Sequence, residues 1–177
     1  MKAVDVPSRT CVFNLTFDDY IPVQAYAEPA VPQPLYWRVL DDRGLMEVGV
    51  DPRFGWVVSI VLTLVDPKNV VYSKSSKPRL PNATDLGLDL SLWPERDLVA
   101  KKNNARFRDE AAKLSLEIGD THSIIGVGQT SPSPSLISPL DSSIAMAIDP
   151  QGEVVGFVLS DHQPKLQLSL HGQSTEV

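Results

Sequence analysis

The sequence predicts a mostly β protein with little helix, folded as an antiparallel sandwich or barrel-like sheet from two duplicated four-stranded units. Three observations support this fold class. Apolar and polar residues alternate with a period of two in several short segments, which is typical of strands with one buried face. The chain has 15 prolines against 10 glycines, which indicates many loops. Two distant segments also share one turn signature, within what we expect to be a single compact domain, residues 1–177.

The turn signature belongs to two predicted β-hairpins. The segments are LMEVGVDPRFGWVVSIVLTLV (45–65) and IAMAIDPQGEVVGFVLSD (144–161). Proline fixes φ at a turn position and aspartate bonds to the backbone ahead of it, so Asp51-Pro52 and Asp149-Pro150 begin the turns. Gly55 and Gly152 then supply the positive φ with which the chain re-enters the ladder.

The similarity extends upstream to a second hairpin in each unit. The segments are FNLTFDDYIPVQAY (13–26) and KLSLEIGDTHSIIGV (113–127). The duplication is therefore predicted to span 11–73 and 105–172, joined by a connection at 74–104. Proline-rich loops fall at 27–34 and 129–139. The sequence also predicts further strands at 35–41, 70–73 and 165–172, and a short helical turn near 93–99.

Composition and charge exclude several classes of protein. No stretch reaches the roughly 18 to 20 apolar residues needed to span a bilayer, and the amino-terminal segment lacks the apolar core of a signal peptide. We therefore expect a cytoplasmic protein that does not bind membranes. The single cysteine, Cys11, leaves no internal disulfide and is predicted to be a buried small hydrophobe. The net charge of −6 disfavours nucleic acid and favours a basic protein partner.

The residues that carry chemistry form no recognisable catalytic or metal site. His122 lies beside Asp120 and Ser123 at a predicted turn, where a solvated turn is favoured over a nucleophile–base pair. His162 and His171 lack zinc-ligand spacing, and no glycine-rich loop precedes a helix. The sequence predicts no catalytic residue, no metal site and no cofactor, so binding is the expected class of function.

A family resemblance refines this expectation. The residues that carry it are Val50-Asp51-Pro52, Gly55, Val57, Val58, Ser59 and Leu62, followed in a degenerate second copy by Ile148-Asp149-Pro150 and Gly152. The first segment resembles bacterial immunity proteins of polymorphic-toxin and contact-dependent growth inhibition systems. The second copy departs from the first in having Gly156 where the first has Ser59. The resemblance implies a protein that binds the toxin domain of a cognate secreted effector and occludes its active site.

The expected partner is a basic toxin domain attracted by carboxylates at the hairpin turns. If the hairpin strands run simply up and down, the turns of each unit share one end. The predicted partner-binding residues are Asp18, Asp19 and Asp51 in one unit and Asp120, Asp149 and Glu153 in the other. A paired strand at 35–41 would spoil this parity.

Two alternatives to an immunity protein stay open. One is a small-molecule or carbohydrate-binding β module that uses Trp37 or Trp93 as a stacking platform. The other is a subunit of a larger assembly that pairs through an exposed sheet edge.

Overall fold

A computed structural model describes residues 1–17, 21–73, 85–93, 105–128 and 134–160 of the chain. The strands, in chain order, are β1 Ala3–Asp5, β2 Val12–Thr16, β3 Val23–Glu28, β4 Leu35–Asp41, β5 Gly44–Val50, β6 Val57–Leu64, β7 Val70–Tyr72, β8 Leu86–Leu88, β9 Phe107–Ala111, β10 Leu114–Ile118, β11 His122–Val127, β12 Leu136–Pro139, β13 Ile144–Ile148 and β14 Val154–Ser160. In the same ranges the helical structure is confined to two 3₁₀ turns, Pro67–Asn69 and Leu90–Leu92. The prediction of a mostly β fold with little helix is confirmed.

Five strands of each six-stranded sheet follow the same order. The first sheet runs β2-β3-β6-β5-β4-β9 and the second runs β12-β13-β14-β11-β10-β7. Starting from the amino-terminal hairpin of each unit, β2-β3-β6-β5-β4 corresponds to β10-β11-β14-β13-β12, and all pairings within these sets are antiparallel. The four predicted strands of each unit are present, and a fifth strand completes each set.

The fifth strands are β4 and β12. Strand β4 lies where the additional strand at 35–41 was predicted, whereas β12 lies inside the segment 129–139 that was expected to be a loop. It has only four residues and ends in proline, so it is too short for a period-two pattern to reveal. Predictions for 94–99 and 165–172 fall outside the described residues.

The sixth strands exchange between the units. Strand β7 follows the first unit in the chain, yet it pairs in parallel with β10 of the second sheet. Strand β9 directly precedes β10, yet it pairs in parallel with β4 of the first sheet. The segment on either side of the connection therefore completes the sheet of the opposite unit.

The two sheets pack face to face around one apolar cluster. Its fully buried side chains come from both sheets and include Trp37, Ile60, Leu116 and Phe157. Both sheets are open rather than closed on themselves, so the observed architecture is the sandwich. Across the described ranges, no helix has the length and apolar character needed to cross a membrane.

The two Asp-Pro turns form as the sequence predicts. Asp51 Oδ1 accepts hydrogen bonds from the backbone N–H groups of Arg53 (2.7 Å) and Phe54 (3.0 Å). Gly55 follows with φ 79°. The second turn repeats the pattern, since Asp149 Oδ1 accepts from the backbone N–H groups of Gln151 (2.9 Å) and Glu153 (2.8 Å), and Gly152 has φ 81°.

A pair of small residues lies beside each of these turns. Gly49 is opposite Ser59 in the first sheet, and Ala147 is opposite Gly156 in the second. A Cβ atom on Gly49 would overlap Ser59 Oγ, and one on Gly156 would overlap the carbonyl oxygen of Ile125. Each pair thus keeps one glycine, but on opposite strands. This exchange accounts for the departure between the two copies at Ser59 and Gly156.

Candidate functional site

The acids predicted to bind a partner occupy unlike environments. Asp18 and Asp19 lie outside the described residues. Asp51 is 5% exposed and its carboxylate is used within its own turn. Asp149 is half-buried, and Glu153 Oε2 lies 3.0 Å from the Met1 nitrogen. Of the four described acids in this set, only Asp120 has an exposed side chain.

The strand register also separates the turns that were expected to share one end. Val23, at the start of β3, is opposite Leu62 near the end of β6, whereas the Asp51 turn lies at the start of β6. In the second sheet, the pairing of His122 with Ser160 places Asp120 at the far end of β14 from Asp149. In the second unit the described acids therefore do not cluster, because β11 pairs with β14, the second strand of the Asp149 hairpin, rather than with β13.

The tryptophans proposed as a stacking platform are buried. Trp37 is 1% exposed and its Nε1–H donates to Glu110 Oε2 at 2.9 Å. Trp93 is 3% exposed and its Nε1–H donates to the carbonyl oxygen of Arg106 at 3.1 Å. Both indoles stabilise the interior, so neither is available to stack on a ligand.

His122 is also an interior residue rather than part of a solvated turn. Its side chain is 1% exposed within β11, and Nδ1 lies 3.4 Å from Thr121 Oγ1. Ser123 is buried as well, and Asp120 points to solvent. Within the described ranges, no group of three or more His, Cys, Asp or Glu side chains is placed to hold a metal ion.

The best candidate for a functional site is instead the outer face of the first sheet, where two recesses adjoin. The first, here called the tyrosine recess, has a volume of about 320 Å³ and is lined by Tyr26, Tyr36, Glu47 and Ser59 among others. The strand register places Tyr26, Ser59, Gly49 and Tyr36 in one row across four adjacent strands. Three strand spacings separate the two tyrosines, or about 14 Å. The absent side chain of Gly49 leaves the middle of the row low.

A carboxylate lies at the side of the tyrosine recess. Glu47 is half-buried opposite Arg38, and burial raises the pKa of its carboxyl, an effect that the charge of Arg38 partly offsets. Burial and the nearby Glu47 carboxylate both raise the pKa of the Tyr36 hydroxyl. The Tyr36 ring stacks on Phe107 with centroids 5.2 Å apart, which fixes the orientation of this wall.

The second recess, here called the arginine recess, lies between the proline-rich loop (29–34) and the turn at 51–56. Its volume is about 500 Å³, and its cationic lining residues are Arg9, Arg53 and Arg106. Among the lining residues that the structure describes, the only acid is Asp51, whose carboxylate is directed to the backbone of its own turn. The lining thus carries a formal charge of +2, three positive groups against one negative, in a chain whose net charge is −6.

Loop contacts hold two of these arginines in place. Arg9 Nη2 donates to the carbonyl oxygen of Pro29 at 3.3 Å, and Arg106 Nε donates to that of Pro34 at 3.0 Å. The Arg9 guanidinium lies 5.1 Å over the Trp56 ring, which contacts Phe54 with centroids 4.4 Å apart. The two arginines therefore fix both ends of the loop while most of their N–H donors stay unused by these contacts.

Comparison of the sequence with known protein families and with characterised proteins identifies no relative. No protein-family model matches the chain, and no curated protein does. The assignment of the recesses therefore depends on the geometry of the chain alone.

Sequence reasoning missed both recesses. Arg9, Arg53 and Arg106 are far apart in the chain and meet only through the fold, so no local spacing announces them. The one local signal is Arg53-Phe54-Gly55-Trp56, which places a cation and two aromatic rings on a single tight turn.

Proposed function

We propose that this chain is a non-enzymatic, cytoplasmic immunity protein that binds the toxin domain of a cognate secreted effector and occludes its active site. The main support for the proposal is that one segment of the chain lines both recesses. The segment 45–65, which carries the resemblance to immunity proteins, supplies Glu47 and Ser59 to the tyrosine recess and the turn 51–56 to the arginine recess. The segment that carries the resemblance thus lines both recesses.

The composition of this face suits a protein partner. Tyr26 is 49% exposed, Phe54 is 41% exposed, and Arg53 is exposed beside it. Tyrosine, tryptophan and arginine are the residues that most often supply binding energy at protein interfaces. Ala30 and Val31 border both recesses, so the two form one continuous face.

The net negative charge of the chain affects the rate of association with a toxin domain rather than the contacts made in the complex. A net charge of −6 accelerates the approach of a basic toxin domain through long-range attraction. Asp120, which is exposed at the end of a hairpin, contributes to this field. The proposed contact face replaces the acidic turns, because Asp51 is buried and the carboxylates of Asp149 and Glu153 have partners within the protein.

Co-expression with the product of a neighbouring gene that encodes a large secreted protein with a variable carboxy-terminal domain tests the proposal. The chain is expected to rescue growth and to co-purify with the toxin, and Tyr26→Ala is expected to weaken the complex about tenfold or more. Tyr72→Ala is the matched control, because Tyr72 is 51% exposed on an edge strand of the second sheet. A chain that neither rescues growth nor binds the neighbouring product excludes the immunity function. Equal effects of the two tyrosine variants reject this face as the interface.

A second candidate is a small-molecule or carbohydrate-binding module, and the tyrosine recess favours it. Two tyrosines three strands apart, with a carboxylate at the side of the recess, can hold a sugar ring by stacking and hydrogen bonding. A screen of neutral oligosaccharides against the wild type and Tyr26→Ala tests this function. Saturable binding lost in Tyr26→Ala supports it, and no binding by the folded wild type excludes it.

A further inference from the structure

We infer that the arginine recess is a binding site for a small organic anion, namely a carboxylate or phosphate group attached to an apolar body. This inference goes beyond the proposed function, since it does not depend on a toxin partner. It rests on the charge, the size and the divided chemistry of the recess.

The charge of the recess runs against that of the molecule. Three guanidinium groups line one cavity of an acidic chain, and in the described part of the chain none of them forms an ion pair with a carboxylate. The three positive charges outnumber the single carboxylate of Asp51, and an anion between them reduces their mutual repulsion. Guanidinium groups also present paired N–H donors that match carboxylate and phosphate oxygens.

One donor at this site lacks a partner. Arg9 Nη1 is buried and makes no hydrogen bond to a described residue. Buried donors in proteins are nearly always paired, because an unpaired one forfeits its bonds to water. Because Nη1 is itself closed to solvent, an anion in the recess would bind the other N–H groups of Arg9 together with those of Arg53 and Arg106. Arg9 is already oriented by Pro29 and Trp56, so little side-chain freedom is lost when the anion binds.

The remaining lining residues select what is attached to the anion. Pro29, Val31 and Pro32 form one side, and the exposed ring of Phe54 forms the other. A volume of about 500 Å³ is well above the size of a bare inorganic anion and falls within the range of pockets that hold small organic ligands. The recess therefore favours an anion with an apolar or aromatic body over phosphate alone.

Nuclear magnetic resonance of the full chain tests the inference with three probes: phenyl phosphate, benzoate and inorganic phosphate. Trp56 is the only tryptophan of the chain that is not buried, and its indole N–H provides the reporter signal. Phenyl phosphate or benzoate is expected to shift this signal saturably. Inorganic phosphate is expected to bind at least tenfold more weakly, because it makes no contact with the apolar walls.

Two charge reversals of equal size locate the site. Arg53 has an exposed side chain, so Arg53→Glu is expected to fold and to weaken binding at least tenfold. Arg43→Glu, at the opposite end of the β4–β5 hairpin, is expected to change affinity less than twofold. Phe54→Ala is expected to weaken phenyl phosphate but not inorganic phosphate. The inference is overturned if no organic probe saturates the signal, if Arg53→Glu and Arg43→Glu act alike, or if inorganic phosphate binds as tightly as phenyl phosphate.

Discussion

The small-residue pair at Gly49 and Ser59 allows a direct test of how the first sheet is packed. A methyl group on Gly49 would overlap Ser59 Oγ, while the Ser59 Cβ would remain 3.4 Å away. Gly49→Ala therefore forces the hydroxyl out of its position, and overpacking of this kind costs about 1 to 3 kcal/mol. Ser59→Gly removes the obstacle but places a glycine within a strand, which costs about 0.5 to 1 kcal/mol.

The double variant reproduces the arrangement of the second unit, where Ala147 faces Gly156. The overlap no longer exists in it, so we expect it to be about as stable as Ser59→Gly alone. The expected coupling is then at least about 1 kcal/mol in favour of the double variant, well above the roughly 0.5 kcal/mol error of additivity.

Urea unfolding of the four proteins, followed by circular dichroism, measures this coupling. Gly156→Ala serves as a contrasting variant, since its methyl group would meet the carbonyl oxygen of Ile125, a backbone atom that cannot rotate away. It is expected to cost more than about 2 kcal/mol. Additive effects of Gly49→Ala and Ser59→Gly would refute the packing argument.

Three further predictions follow from single residues. Asp51→Ala removes two hydrogen bonds to a buried carboxylate and is expected to lower the free energy of unfolding by about 2 to 4 kcal/mol. Asp149 is only half-buried, so Asp149→Ala is expected to lower it by about 1 kcal/mol. Equal losses measured by urea unfolding would contradict the argument from burial. Burial raises the pKa of Glu47 in the folded protein, so the native state binds more protons than the unfolded chain and its stability falls as pH rises through and above the unfolded pKa of 4.5. Glu47→Gln is therefore expected to stabilise the protein at pH 7 and to lose that advantage below pH 4.5. Thermal melts at both pH values check the sign of the effect. Burial raises the pKa of the Cys11 thiol, and its Sγ–H donates to the Leu140 carbonyl oxygen at 3.5 Å. At pH 8 an aromatic disulfide reagent is therefore expected to react at least about tenfold faster with Cys11 in the unfolded chain than in the folded one.

Local sequence signals were sufficient for the hairpins and their turns. Asp51-Pro52 and Asp149-Pro150 begin turns because the aspartate carboxylates bond to the backbone N–H groups that follow them. Strand order was beyond such signals. Local pattern does not show whether β3 pairs with β5 or with β6, because both strands are apolar and largely buried. In the second sheet, the pairing of β11 with β14 places Asp120 and Asp149 at opposite ends.

The candidate site was even less accessible to sequence reasoning. Its arginines come from the amino-terminal segment, a hairpin turn and the residue before β9, and they converge only after both sheets have formed. Trp37 and Trp93 were considered because large aromatic rings commonly bind ligands. Trp37 alternates with Tyr36 and Arg38 along β4, a pattern equally typical of an interior residue, whereas no such alternation surrounds Trp93. Trp56 differs because it follows Gly55 in a turn rather than lying within a strand.

The exchange of β7 and β9 makes the two halves of the molecule interdependent during folding. A fragment ending at residue 73 would contain β7 without its partner β10 and would lack β9, which pairs with β4. The complementary fragment would contain β9 without β4 and would lack β7. The first sheet is complete only when residues 107–111 pair with β4. Because this pairing joins residues that are far apart in the sequence, it raises the contact order and slows folding. Cutting the chain between the halves and mixing the pieces should accordingly restore the fold through reciprocal strand donation, because each piece supplies what the other lacks.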